Sequence, residues 1–296
     1  MCMHATLRHW ADAQRTDLSV LLGAACGDVA GSVYEWQNIR YKLDEGSLIS
    51  PAAHYTDDTV LTCAVAQALR EGLAGLPEDW LDVPGAQDML MQAVRRQLRR
   101  FGRAFPAAGY GGKFMAWLGS DDPQPYGSWG NGSAMRVSAA GWLARSLEEA
   151  ETLAELSARV THDHPEGIRG AVCVAGCIFL LRQAADKEAV RAYASRFYDL
   201  GFTLREIRHT YTFNASCQGS VPQAIVAFLE AEDFADAISG AISIGGDSDT
   251  IAAIAGSLAE VIYPIPADII DAVTGRMDGV LLEALAGAEE FARSRA

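Results

Sequence analysis

Apolar residues recur at three-to-four spacing along nearly the whole chain, and stretches that alternate apolar with polar are almost absent. The periodicity predicts helices over 18–29, 60–71, 87–101, 134–144, 147–160, 167–184, 187–198, 222–230, 234–242, 250–262 and 265–285. Alanine is abundant, and it combines the strongest helix propensity with a very small side chain, so close-packed helices are expected. Ser19, Asp57, Ser146, Asp163 and Asp249 stand where N-caps belong. The expected fold class is all-α, a single compact orthogonal multi-helix domain over 1–296, with 1–16 an N-terminal extension open to a helical reading. Two stretches lack the pattern and read as loops, 40–53 and 102–132. The second is rich in Gly, Pro and aromatics and too long for a plain connection, which marks it as functional or disordered.

Composition narrows the function. Half of the 296 residues are hydrophobic, enough for a sizeable core. A net charge of -14 argues against a general binder of phosphate backbones and against docking on anionic membranes. It leaves room for a small phosphorylated ligand, because a bound metal can supply local positive charge. The six cysteines form no disulfide or zinc framework, and Cys173 and Cys177 read as buried thiols on an apolar helix. The apolar stretch 18–33 is preceded by Asp12 and Asp17 and broken by Asp28, unlike a signal peptide, and no run is long enough to span a bilayer. A soluble, cytoplasmic, monomeric protein is expected.

Two clusters carry oxygen ligands. Asp247, Ser248, Asp249 and Thr250 follow Gly245-Gly246 and open a helical run. Far upstream, Thr56, Asp57, Asp58 and Thr59 open another. A helix cap beside a favourable dipole explains one aspartate in each, but not two. The spacing of a Ca²⁺-binding EF-hand loop is missing, and no His/Cys set has zinc spacing. A shared site for hard divalent ions explains both clusters, with two metals roughly 3.5–4 Å apart.

Other segments are weaker alone. Gly23, Gly27 and Gly31 read as a small-residue face for close helix packing, while Asp28 among them needs a buried hydrogen-bond network. Glu35 is a candidate metal ligand or general base. The glycine-rich stretch Gly127-Ser128-Trp129-Gly130-Asn131-Gly132, running into a helix, could cradle phosphate through backbone N–H groups. Gly109-Tyr110-Gly111-Gly112-Lys113 is a fainter version, and Thr161-His162-Asp163-His164 offers a hydrogen-bonding His near a ligand.

Taken in order, these segments resemble the ADP-ribosylglycohydrolase family. The matching residues are Gly27-Asp28 with Gly31 and Glu35, Thr56-Asp57-Asp58-Thr59, Gly130-Asn131-Gly132 with Met135-Arg136, Thr161-His162, and Gly245-Gly246-Asp247-Ser248-Asp249-Thr250. The resemblance implies a compact all-α fold and a centre of two Mg²⁺ or Mn²⁺ ions that grips the distal ribose of ADP-ribose. It implies Thr56, Asp57, Asp58, Asp247, Asp249 and Thr250 as metal ligands. Glu35, Asp57 and Asp58 become the candidate catalytic carboxylates. Gly111, Gly127, Ser128, Trp129, Asn131, Gly132 and His162 fall where the family binds phosphates and riboses. The implied activity is release of ADP-ribose from a modified acceptor, first of all arginine on a protein. A serine, nucleobase or small-molecule link is the alternative, and a catalytically silent ADP-ribose-binding regulator is the competing class. Stretches 40–53 and 71–87 match nothing in the family and are candidates for setting the acceptor.

Overall fold

The computed structural model describes residues 21–295, the side chain of Glu45 aside. The N-terminal extension and the Ser19 cap lie outside the described residues. Among those described there are fourteen α-helices and no strand, only an isolated bridge between Gly130 and Ser216. The order is α1 (Gly23–Gly31), α2 (Asp57–Ala74), α3 (Ala86–Ala104), α4 (Gly112–Gly119), α5 (Ser138–Leu143), α6 (Leu147–Arg159) and α7 (Pro165–Arg182). There follow α8 (Lys187–Ala194), α9 (Leu204–Ile207), α10 (Cys217–Glu230), α11 (Phe234–Ile242), α12 (Ser248–Ala259), α13 (Ala267–Thr274) and α14 (Gly279–Arg295). None of these helices is long and apolar enough to cross a membrane.

Helix α1 is the axis of the molecule, and every one of its residues is buried. Gly23, Gly27 and Gly31 recur every fourth residue and so share one face. A Cβ on Gly27 would stand 2.0 Å from Ala252 O, and one on Gly23 would stand 2.3 Å from Gly256 O, both on α12. The two backbones therefore touch, as the small-residue reading requires. Glu260, at the end of α12, accepts from Leu22 N at 2.9 Å and Gly23 N at 2.7 Å and so caps the start of α1. Around this pair, α2 packs on α3 and α14, α6 on α7, and α10 and α11 on α12.

The observed helices depart from the predicted ones at identifiable places. The stretch 102–132 is not all loop, because α4 lies inside it, amphipathic enough to bury Phe114, Trp117 and Leu118. The run 265–285 is two helices, parted at Gly275–Asp278. Helix α10 begins at Cys217, capped by Ser216, and takes Pro222 inside it. Capping differs too. Ser146 caps α6 as expected, but Thr56 rather than Asp57 caps α2, and His164 rather than Asp163 caps α7, with Pro165 next. Asp247 holds the cap position of α12, two residues before Asp249. In each case the side chain freed from capping is an acid.

Candidate active site

A cavity of about 480 Å³ opens where α1 ends and where α2, α4 and α12 begin. Glu35 and Ser32 line it after α1, Thr56, Asp57 and Asp58 at α2, and Gly111, Gly112 and Lys113 at α4. Ser128, Asn131, Gly132, Met135 and Arg136 form another wall, with His162 beside them. Asp247, Asp249 and Thr250 close it at the start of α12.

Asp28 organises the α2 side. Its carboxylate accepts from Thr56 N at 2.8 Å, Thr56 Oγ1 at 2.7 Å, Thr59 N at 3.0 Å and Thr59 Oγ1. Three of these bonds fall on Oδ2 and one, from Thr56 Oγ1, on Oδ1. This is the buried network expected for Asp28, and it pins the first turn of α2 to α1. Burial pushes the Asp28 carboxyl up, and the four hydrogen bonds pull it back. Thr56 in turn accepts from Asp58 N at 3.3 Å.

The α12 side rests on a turn that only glycine adopts easily, with φ of 65° at Gly245 and 77° at Gly246. Asn38 Oδ1 accepts from Gly246 N at 3.0 Å, and Arg40 donates to Ile244 O and, at 2.9 Å, to Tyr211 O. Asn131 Nδ2 donates to Asp247 at 2.7 Å and to Ser220 Oγ at 2.8 Å.

The two sides form one acidic centre. Oxygens of Asp28, Asp58 and Asp249 lie within 4.8 Å of one another, as do those of Glu35, Asp247 and Asp249. Asp249 belongs to both groups. Burial comes first, then the neighbouring carboxylates, in holding Asp58, Asp249 and Glu35 above the usual carboxylate range. Asp57, outside both groups, is pushed up to about 7 by burial, then Asp28 and Asp247. Asp58 Oδ1 is buried without a hydrogen-bond partner. So many clustered carboxylates cannot all ionise unless a cation offsets them. The donors are all oxygens, matching a hard divalent ion, and Asp58 keeps an oxygen free for one. Asp28 falls in the first group geometrically; its Oδ2 is saturated by three donors, while Oδ1 accepts only from Thr56 Oγ1.

The proposed ligand-binding residues divide. Gly111, Ser128, Asn131, Gly132 and His162 line the cavity, whereas Gly127 and Trp129 do not. Gly127 takes a φ of 60° and donates its N–H to Asp163 at 2.7 Å, so it shapes the turn from behind. Trp129 is half exposed, edge-on to His164 and capped by the Lys113 ammonium at 5.4 Å from its ring. Tyr126 and Phe213 line the cavity, and Ser220 holds Asn131 from behind, without having been expected there. Nothing local in the sequence singles them out, since each arrives from a loop or helix that only the tertiary fold brings near.

Against known proteins, the profile of the ADP-ribosylglycohydrolase family matches residues 12–295. The chain belongs to the ADP-ribosylglycohydrolase family. Its members are hydrolases of glycosidic bonds, and the chain is such an enzyme by family. It is similar to the ADP-ribosylhydrolase ARH3 of Homo sapiens, 27% identical over 82% of this chain and 84% of that one. The ADP-ribosylarginine hydrolase Tri1 of Pseudomonas putida is 25% identical over 83% of this chain and 70% of its own. Among solved structures, an ADP-ribosylglycohydrolase-related protein complex superposes with a TM-score of 0.63 at 22% identity, covering 98% of this chain and 100% of that one. The all-α glycohydrolase fold is therefore the fold of this chain.

Proposed function

We propose that this glycohydrolase releases ADP-ribose from modified arginine side chains of proteins, with a divalent-metal centre held between α2 and α12. The observation that carries this reading is the pair of acidic groups, joined through Asp249, that face one cavity of ligand size. Thr56, Asp57, Asp58, Asp247, Asp249 and Thr250, with Glu35 adjoining, would hold two Mg²⁺ or Mn²⁺ ions, which when bound supply positive charge at the ribose hydroxyls and a water of lowered pKa.

The chain's own groups do the rest. Asp28 fixes the first turn of α2, and Asn131 fixes Asp247. Gly111, Ser128, Asn131, Gly132 and His162 would bind phosphates and riboses, with Gly127 and Trp129 supporting that wall. Hydrolysis breaks the bond from the anomeric carbon to a guanidinium nitrogen and builds oxocarbenium character on the sugar. Glu35 would take a proton from the attacking water and return it to the departing nitrogen. Asp57 and Asp58 are the alternative carboxylates, but Asp58 is already engaged by Thr250. Support for arginine comes from the cavity edge, where half-buried Glu35 adjoins the stacked rings of Trp36 and Phe213, 5.0 Å apart. A carboxylate beside aromatic faces suits a planar cation. The name of the Pseudomonas relative points the same way. The five described cysteines are free and buried, which supports a cytoplasmic setting.

The test is release of free ADP-ribose from an arginine-modified protein, alongside serine- and nucleobase-linked substrates. Release should require Mg²⁺ or Mn²⁺ and be lost in Asp249→Ala. Release from that variant, or in the presence of chelator, overturns the metal reading, and preference for another linkage overturns the arginine reading.

A further inference from the structure

We propose that Arg136 is a positioning residue: acting through Thr161, it fixes His162 in the tautomer that presents Nε2–H to the cavity. The inference begins from an oddity of the sequence, an arginine in a strongly apolar stretch. Arg136 is fully buried. Its Nη2 donates to Thr161 Oγ1 at 2.8 Å and to Ser157 O at 3.3 Å. A guanidinium can only donate, so Thr161 is the acceptor in that bond. The Thr161 hydroxyl still has one hydrogen to give, and at zero exposure it has no water to give it to.

His162 Nδ1 lies 2.7 Å from Thr161 Oγ1. It takes the hydrogen, so it carries none of its own. A neutral imidazole has one N–H, which then sits on Nε2. Burial first, then Arg136 and Lys113, pushes the His162 pKa well down, so the ring is neutral. The Nε2 edge faces the Gly130–Gly132 turn, where a Cβ on Gly132 would come within 3.2 Å of it and one on Gly130 within 3.5 Å. With glycine at both places the N–H stays open to the cavity.

The chain Arg136, Thr161, His162 therefore converts a buried positive charge into a neutral donor of fixed direction. On the reading that this cavity takes ADP-ribose, the donor's partner is a phosphate or ribose oxygen. The group that meets it must accept, so a phosphate oxygen or the lone pair of a ribose oxygen fits and a group that can only donate does not. The competing arrangement runs through Tyr126, whose hydroxyl also interacts with Thr161. If Thr161 gave its hydrogen to Tyr126, Nδ1 would hold the proton and Nε2 would be an acceptor. That arrangement also satisfies Thr161, whose oxygen has two lone pairs, so the tautomer of the free protein distinguishes the two.

The tautomer can be read directly by two-bond proton–nitrogen correlation NMR on ¹⁵N-histidine-labelled protein, free of ligand. His162 is assigned by the signal lost in His162→Gln. The expected pattern is Nε2–H, unchanged in Tyr126→Phe. An Nδ1–H pattern overturns the proposal. Thr161→Val, which keeps shape but loses the hydroxyl, should release the tautomer and weaken ADP-ribose binding about tenfold. Thr161→Ser should retain both. A Thr161→Val protein still locked as Nε2–H would overturn the relay. Arg136→Met should likewise give a second His162 tautomer, and if that variant does not fold the Thr161 pair carries the test. Because the tautomer is read in the free protein, failure of wild-type protein to bind ADP-ribose would count against the substrate reading alone.

Discussion

Thr250 Oγ1 donates a 3.2 Å hydrogen bond to Asp58 Oδ2, joining side chains 192 residues apart. It is the direct seam between the motif that opens α2 and the motif that opens α12. Each helix brings its positive N-terminal end to the seam, which partly offsets the acids gathered there. The offset is incomplete, as the raised carboxyl pKa values of Asp58 and Asp249 show.

Asp249 sits in both acidic groups, so its removal should separate stability from function. In chelator, Asp249→Ala should melt a few degrees above the parent, because a buried like-charge repulsion is gone. With Mg²⁺ the order should reverse. The parent should gain about 2.7 kcal/mol at a hundredfold excess of metal over its Kd. The variant should gain little, and its ADP-ribose release should fall at least about a thousandfold. Thermal melts with and without metal, beside a release assay, check all of this. A variant that is less stable than the parent in chelator would mean that Asp249 has a structural bond that the repulsion does not outweigh.

Gly27 is where α1 and α12 touch most closely, with a Cβ placed 2.0 Å from Ala252 O. Both neighbours are helix backbone, so neither can give way cheaply. Gly27→Ala should cost about 3 kcal/mol or more. Urea unfolding should show a lower midpoint at unchanged slope. Because Asp28 is the next residue, the metal response should weaken as well.

Much of this was legible before any coordinates. The helices followed from apolar periodicity, and the two Asp/Thr motifs stood out because a cap needs one acid and each motif has two. Asp28 announced a buried network, since a charge among Ala, Gly and Val must be satisfied. What could not be read were the contributions of tertiary contact. Phe213 sits in a loop with no pattern of its own, Ser220 in the first turns of α10 ahead of the predicted helix, and α4 was hidden in a Gly- and Pro-rich stretch. The resemblance places Trp129 among the ligand contacts; its side chain stands half exposed between Lys113 and His164. Capping was misassigned at Asp57 and Asp249 because the helices begin one and two residues earlier than expected, with Thr56 capping α2 by its hydroxyl and Asp247 at the start of α12, which leaves both carboxylates for the cavity.

Glu260 gives a pH dependence away from the acidic centre. Burial raises its carboxyl to about 8 against 4.5 for an ordinary one, despite bonds from Leu22 N, Gly23 N and Trp142 Nε1. The folded chain therefore holds this proton more tightly than the unfolded chain. The resulting stability is full below pH 4.5 and is lost progressively as pH rises toward about 8. The loss is on the order of a few kcal/mol. Since the acids of the cavity titrate over part of the same range, the measurement is a difference. Stability profiles of the parent and Glu260→Gln should diverge in slope between pH 5 and about 8, the variant being flatter. Parallel profiles would show that Glu260 is ionised throughout.

The stacked rings of Trp36 and Phe213 lie on the same side of the cavity as Glu35 and are exposed, Trp36 at 74% and Phe213 at 40%. Hydrophobic burial does not account for a tryptophan left that open, whereas contact with an acceptor would. An arginine acceptor leaves the ribose as a planar cation and would meet these faces; a serine hydroxyl would gain nothing from them. Trp36→Ala and Phe213→Ala should each lower kcat/KM on arginine-linked substrate about tenfold, the worth of a desolvated cation–π contact. Affinity for free ADP-ribose should stay within about twofold, since the product carries no acceptor. Steady-state kinetics on arginine- and serine-linked substrates, with product inhibition by ADP-ribose, separate the cases. Equal losses on both substrates would assign the pair to holding Glu35 in place, and a loss confined to the arginine substrate would assign it to the acceptor.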